Sequence, residues 1–228
     1  MHIEPGVVDA AKITFSYGTA ALVSGLALQT AFRSICKNTA AGTLMLRVVT
    51  TTLLTFCFFE LLPHRPVGVS EVHLILGTTL YLLFGLAPAA LGLAGGLLAQ
   101  GLLFAPTDLP QYGMNLTTLL APLFVLHLLA KRVIPEQTAY VDLGYAQVLK
   151  LSAAYQGGIV AWVAFWAFYG QGFGAENLAE VGSFGLAYLG VILVEPLIDL
   201  AVLAAAKSLR GLKGSALLER RLYEAHAA

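Results

Sequence analysis

The chain has 228 residues, 13 basic and 13 acidic side chains, 58% hydrophobic residues and a mean hydropathy of +0.78. Charged residues make up 11%, against about 25% in a soluble domain, so charge cannot cover a water-facing surface. This excludes an ordinary cytosolic enzyme, a nucleic-acid binder with a basic face and a disordered chain, and selects the bilayer as solvent. Two cysteines, Cys36 and Cys57, fit neither a disulfide framework nor a cysteine-rich metal site and are read as apolar residues.

The first nine residues, Met1 to Asp9, lack a basic region and carry two acids before the first apolar run. They do not read as a targeting peptide, and the mature chain is expected to begin at or near Met1. A membrane helix needs about 20 mostly apolar residues, and seven stretches qualify or come close. In chain order these are Asp9 to Phe32, Ala40 to Leu62, His73 to Gly85, Ala89 to Ala105, Met114 to Ala130, Asp142 to Tyr169 and Val181 to Lys207. The third and fourth meet at Gly85-Leu86-Ala87-Pro88, a turn by its Gly and Pro. No segment alternates apolar and polar residues for long enough to read as a barrel strand, and nothing reads as strand at all. The fold expected is an all-α membrane protein, about seven transmembrane helices in one compact bundle spanning residues 1–228, ending in a basic tail over 207–228.

Orientation follows from the basic residues. With the N-terminus outside, nine of the 13 Lys and Arg fall on the cytoplasmic side: Arg33, Lys37, Lys131, Arg132, Lys207, Arg210, Lys213, Arg220 and Arg221. The outer loops then hold only Arg65, and the loop from Gln171 to Glu180 is acidic. The chain is therefore read with its N-terminus outside and its C-terminus cytoplasmic. Small residues recur inside the spans, at Ala21 and Gly25, Gly92 and Gly96, and Gly157 and Gly158. Such residues let helices approach closely. Internal packing is the expected role for most, with Ala21 and Gly25 as the place for a partner membrane subunit to dock.

Five histidines sort by position. His226 falls in the tail as a solvated bystander. His127 lies deep in the fifth span and suits a hydrogen-bonded packing role, and His64 reads as an exposed loop residue. His2 and His73 remain, both at the outer face, with His73 at the start of the third span. Position two is chemically special. The α-amine of Met1 and the backbone nitrogen of His2 close a five-membered chelate ring, and that nitrogen with imidazole Nδ1 closes a six-membered one. Three nitrogens in a plane leave a fourth position for a second imidazole, a set suited to Ni(II) or Cu(II) and open to Co(II). Removal of Met1 needs a small second residue, so Met1 is expected to be retained. Ile3, Pro5-Gly6 and Val7-Val8 then lead directly into the first span, allowing the terminus to fold back into the bundle.

With these residues in view, the chain resembles the CbiM/NikM family, the substrate-binding (S) components of energy-coupling factor transporters for cobalt and nickel. The resemblance starts from Met1-His2-Ile3 with Gly6. It continues through His73 followed twelve residues later by Gly85, then Leu102-Leu103-Phe104 leading to Gly113-Met114-Asn115, and the late run Val191-Ile192-Leu193-Val194-Glu195. It covers most of the chain. This sequence departs from the family pattern at Thr107-Asp108-Leu109-Pro110, at Thr118-Leu119, at Tyr188 and at Pro196, which marks a divergent branch.

The resemblance implies a metal site made of the Met1 amine, the His2 backbone nitrogen and imidazole, and the His73 imidazole, with residues 1–8 as the metal-binding segment. Asn115 would hold that segment in place, with Gln111 and Asp108 as further support or metal approach. No cofactor is expected to be tightly bound; the transported ion is Co(II) or Ni(II). The partners implied are a transmembrane coupling (T) subunit, two ATPase subunits and a small auxiliary membrane subunit, in a bacterial or archaeal cytoplasmic membrane. The chain carries no G-x-x-x-x-G-K-[ST] phosphate loop, so ATP hydrolysis falls to other chains. Glu195 and Asp199, four apart on one face of the seventh span, are either functional or paired with Arg47 or Lys150. Two rival functions follow from other residues. Ser24 and His127 would serve an intramembrane hydrolase, without the glycine-flanked serine or His-Glu-x-x-His signature expected of one. Trp162, Trp166 and Tyr169 would line an S component for a vitamin.

Overall fold

A computed structural model describes residues 2–37 and 39–225. The Met1 amine and His226, both singled out above, lie outside the described residues. Helix α1 (Ala10–Cys36) starts where the Asp9 carboxylate accepts the Lys12 backbone N–H at 2.9 Å, a side-chain cap for an otherwise orphaned donor. It is followed by α2 (Ala41–Leu61), a hairpin of β1 (Arg65–Val67) and β2 (Ser70–Val72), α3 (Gly77–Phe84), α4 (Leu86–Leu103), a 3-10 turn over Pro106–Gln111, α5 (Tyr112–Val133), α6 (Tyr145–Gln171) and α7 (Ala175–Ser208).

Helix α5 forms the centre. Met114, Leu116, Leu119, Leu120, Leu123 and Leu126 are all buried, as expected of a helix that is apolar all round, and α1, α4 and α6 surround it. The tightest pair is α2 with α4. Gly92, Gly95 and Gly96 of α4 lie on Thr51, Thr52 and Thr55 of α2, and a Cβ at Gly92 or Gly96 would collide with Thr51 or Thr55. Thr51 Oγ1 also donates to the Pro88 carbonyl at 2.7 Å. Gly158 of α6 sits on Pro122 of α5. These glycines do the internal packing expected of them. Ala21, Gly25 and Gly157 do not: they are exposed, and nothing lies within 4 Å of a Cβ built at Gly25 or Gly157. Leu22, Leu28 and Phe32 on α1 and Leu186 and Leu193 on α7 are exposed too, the apolar exterior that a bilayer requires.

Several sequence-based expectations are corrected. Among the described residues five helices are long and apolar enough to cross a membrane by length and composition: Ala41–Leu61, Leu86–Leu103, Pro106–Val133, Tyr145–Gln171 and Ala175–Ser208. The first stretch, α1, is 27 residues long but is not among them, its apolar run being diluted by Ser, Thr, Gly and Gln, and neither is the third. Only eight residues of it, α3, are helical, which at 1.5 Å per residue gives about 12 Å against a hydrocarbon core of about 30 Å. His73 is consequently not at a helix start but in the irregular chain just after β2. The hairpin itself was missed, because three-residue strands are too short to show a period of two. Helix α7 starts at Ala175, so most of the acidic Gln171–Glu180 stretch is helix, and the break is confined to Gly172–Gly174 with Gly172 at φ +76°. Likewise α3 and α4 are divided by Gly85 alone, at φ +89°, and Pro88 lies inside the first turn of α4, where a missing N–H costs no helical bond.

The segment after Ser208 folds under the end of the bundle opposite the hairpin. The Glu219 N–H donates to the Leu83 carbonyl at 2.6 Å, Leu222 is fully buried, and Arg221 stacks 5.2 Å over the Tyr140 ring. Arg47 belongs to this contact: it donates to the Ala216 carbonyl at 2.8 Å, to Glu219 at 3.1 Å and to the Leu218 carbonyl. It is not a partner of Glu195 or Asp199, and Lys150 is exposed.

Candidate metal centre

The N-terminal segment is laid along the free edge of β2 as a third strand. The Glu71 N–H donates to the His2 carbonyl at 3.0 Å, the Glu4 N–H donates to the Val69 carbonyl at 3.1 Å, and Ile3 bridges Ser70 antiparallel. Ser70 Oγ adds a bond to the His2 carbonyl at 3.0 Å. An edge strand presents unpaired backbone groups, and these bonds satisfy them. Gly6, at φ +92°, turns the chain, and Val7 and Val8 are buried against Gly170 of α6, where a Cβ would strike the Val7 carbonyl. Lys12 fastens the same corner by donating to the Gly170 carbonyl at 2.8 Å. The fold-back expected from Pro5-Gly6 is therefore built from backbone pairing plus a glycine contact.

This pairing brings His2 and His73 together. Their ring centroids are 5.1 Å apart with planes at 79°, and both rings lie against Phe59 of α2, at 5.8 and 5.6 Å. His2 is 4% exposed and His73 2%, so His73 is not near water as a helix-end position would have been. Glu71 joins them. His2 Nδ1 and His73 Nε2 each lie 2.8 Å from the same oxygen, Glu71 Oε2. One ligand atom from each of His2, Glu71 and His73 falls within 4.8 Å of the other two. Burial alone would raise Glu71, but the hydrogen bonds from the two imidazoles overcome it and hold the carboxyl far below the ordinary range. Burial pushes His73 well below the usual imidazole value, against the pull of Glu71, leaving the ring neutral at pH 7. A neutral imidazole is the form that ligates a metal. Glu4 is pushed up by burial and by the charges of Glu71 and Asp108, so carboxylates from three segments share one neighbourhood.

Sequence reasoning missed Glu71. Its signal was available: on an extended chain residues two apart share a face, and Glu71 and His73 are two apart. Reading the segment as the start of a helix hid it. His64, taken as an exposed loop residue, is exposed but stacks on His73 at 5.1 Å and 13°.

Asn115, at the first turn of α5, is 1% exposed and its Oδ1 accepts the Ile3 N–H at 3.0 Å. It touches the segment that carries His2. Asp108 lines a small cavity together with His2, Gln100, Tyr112 and Asn115. Gln111 is buried, but it makes no hydrogen bond to His2 or His73; its Oε1 has no partner among the described residues.

Glu195 reaches the same region from α7. Its Oε1 accepts the N–H groups of Ile75 and Leu76 at 2.5 and 2.8 Å, and Oε2 accepts from Gln156, which in turn accepts the Tyr188 hydroxyl at 2.9 Å. Asp199 accepts from Thr79 at 2.5 Å. Both carboxylates therefore hold the chain that follows His73, and the Arg47 or Lys150 pairing is replaced by backbone and hydroxyl donors.

The rival sites do not assemble. His127 is hydrogen-bonded to the Tyr81 hydroxyl at 3.0 Å, and no hydrogen bond links it to Ser24. Trp166 is fully buried among Phe15, Trp162, Phe165 and Tyr169, at centroid distances of 5.0 to 6.1 Å, which is aromatic packing rather than a ligand cleft.

No curated protein matches the chain by sequence. Two solved structures share its fold. One, described as a truncated transition metal transporter, has a TM-score of 0.67 at 20% identity, covering 91% of this chain and 99% of the other. The second, described as a transition metal transporter, has a TM-score of 0.67 at 19% identity, covering 92% and 94%. The sequence profile of CbiM, the cobalt uptake substrate-specific transmembrane region, matches residues 2–211. With that match running from His2 almost to the end of the described chain, the protein belongs to the CbiM family and is a membrane component of metal transport.

Proposed function

We propose that this chain is the substrate-binding component of an energy-coupling factor transporter that imports Co(II) or Ni(II). In this reading the single domain lies in a bacterial or archaeal cytoplasmic membrane with its N-terminus outside. The ion is captured by the Met1 amine, the His2 backbone nitrogen, His2 Nδ1 and the His73 imidazole. Asn115 keeps the His2 segment in place, with Asp108 and Gln111 near the approach. Turnover requires a coupling T subunit and two ATPase subunits, with a small auxiliary membrane subunit as a further partner; the chain itself is not an enzyme. One observation carries the reading. Two buried imidazoles, delivered by an N-terminal strand and the chain after β2, converge beside a carboxylate at one end of an apolar bundle. Convergent imidazoles are the commonest protein donors for Co(II), Ni(II) and Zn(II), and the carboxylates Glu4, Glu71 and Asp108 favour cation approach.

The test is metal content. Purified wild type loaded with Co(II) or Ni(II) and desalted is expected to retain one ion, and His73→Ala to lose most of it. The histidine is buried against Phe59 and His64, so the variant is first checked for a wild-type elution profile and thermal transition. A folded His73→Ala protein with unchanged metal content refutes the site.

A further inference from the structure

Glu71 is half-buried, with 23% of its side chain exposed, and it is the group toward which both histidines turn. The outer ring nitrogens, His2 Nε2 and His73 Nδ1, are buried and have no hydrogen-bond partner among the described residues. All the polar bonding of both rings is thus directed at one carboxylate oxygen. The geometry points to Glu71 as a direct ligand of the transported ion, making a mixed nitrogen and oxygen site for divalent ions of five or six coordination. This inference rests on the metal-capture reading and deepens it.

The distances fit a ligand. Bonds of about 2.1 Å to adjacent donors at right angles place those donors ~3.0 Å apart, and a tetrahedral set ~3.4 Å apart. Glu71 Oε2 lies 2.8 Å from His2 Nδ1 and from His73 Nε2, the spacing of an oxygen at right angles to both nitrogens. In the four-nitrogen plane proposed above, such an oxygen stands on the axis. On binding, each ring turns a lone pair to the ion and carries its proton on the outer nitrogen, while the proton of the His2 backbone nitrogen and any on the Met1 amine leave to solvent, so no co-reactant is needed. The carboxylate also offsets positive charge where two neutral rings cannot, and a buried divalent ion needs that offset. Its backbone is fixed beforehand, since the Glu71 N–H is bonded to the His2 carbonyl at 3.0 Å.

The chemical consequence is selectivity. Planar nitrogen sets favour Ni(II) and Cu(II), whereas an added carboxylate suits ions that accept oxygen and higher coordination, among them high-spin Co(II). The experiment uses the full chain in detergent with Co(II) as the probe, comparing wild type, Glu71→Gln and His73→Ala. Expected are a wild-type visible spectrum of five- or six-coordinate Co(II), and X-ray absorption showing a protein oxygen donor. Glu71→Gln, equal in shape, is expected to shift the ligand-field bands and weaken binding by about 100-fold or more, beyond the ~10–100-fold typical of an outer hydrogen-bond partner. A Glu71→Gln spectrum identical to wild type overturns the inference even where affinity falls, because Glu71 then only supports the rings. An all-nitrogen wild-type coordination sphere overturns it without any variant. In either case a His73→Ala protein that loses Co(II) leaves the capture reading standing; wild type that takes up Ni(II) but no Co(II) overturns this inference alone, and wild type that takes up neither ion overturns both.

Discussion

Glu195→Ala tests how the position of His73 is maintained. The carboxylate accepts two backbone N–H groups, from Ile75 and Leu76, at sites that are 0% and 7% exposed. Truncation leaves both donors buried without an acceptor, and each such loss costs about 1–3 kcal/mol, so the folded arrangement loses roughly 2–6 kcal/mol. Leu76 adds to the sensitivity. It stands at φ +55°, a left-handed conformation that costs a non-glycine residue on the order of 1–3 kcal/mol and persists only while its surroundings hold it. The lower bound of about 2 kcal/mol corresponds to roughly 30-fold in an equilibrium between held and displaced conformations. Glu195→Ala is therefore expected to lower the thermal transition and to weaken Co(II) binding by at least that factor, although its backbone contacts, at Ile75 and Leu76, lie two and three residues past His73. Glu195→Gln is expected to be mild, because its amide oxygen still accepts both N–H groups. Gln156 need only turn its amide, letting its nitrogen donate to the Tyr188 oxygen. Differential scanning fluorimetry in detergent and Co(II) titration read both effects. A Glu195→Ala protein with wild-type melting and affinity, or a Glu195→Gln protein as damaged as the alanine variant, would show that backbone hydrogen bonding is not what holds the His73 segment.

Three further outcomes follow from separate contacts. Asn115→Ala removes the acceptor of the Ile3 N–H and is expected to weaken metal binding by about 10–100-fold with the bundle intact; titration at wild-type affinity would assign Asn115 to packing alone. Adding one residue before Met1 turns its amine into an amide and moves the histidine to position three, where it completes four planar nitrogens by itself and excludes His73. Such an extension is expected to abolish uptake, whereas a C-terminal tag leaves it unchanged, and full uptake with the extension verified by mass spectrometry would disprove the terminal chelate. Arg47→Ala removes the donor to Ala216, Leu218 and Glu219 and is expected to expose the segment after Ser208 to limited proteolysis without altering metal affinity; an unchanged cleavage pattern would refute the anchoring role.

The sequence alone determined that this is a helical membrane protein, where most of its long helices run, and that His2, His73 and Asn115 deserved attention. Those inferences rest on local quantities: apolar runs carry the solvent preference of each helix within themselves, and motif spacings are counted along the chain. The tertiary structure decided the rest. The chain from His73 to Leu76 reads as apolar helix, yet it is not helical: the N–H groups of Ile75 and Leu76 are bonded to Glu195 of α7, and β2 finds its second partner in residues 2–4. Glu71 meets His2 only through that pairing, and His64 meets His73 only across the β1–β2 hairpin. Arg47, in a span and free to neutralise Glu195 on paper, is drawn instead to carbonyls of the returning tail. In each case the deciding hydrogen-bond partner is distant in sequence, and hydropathy does not encode which distant group a buried donor will meet.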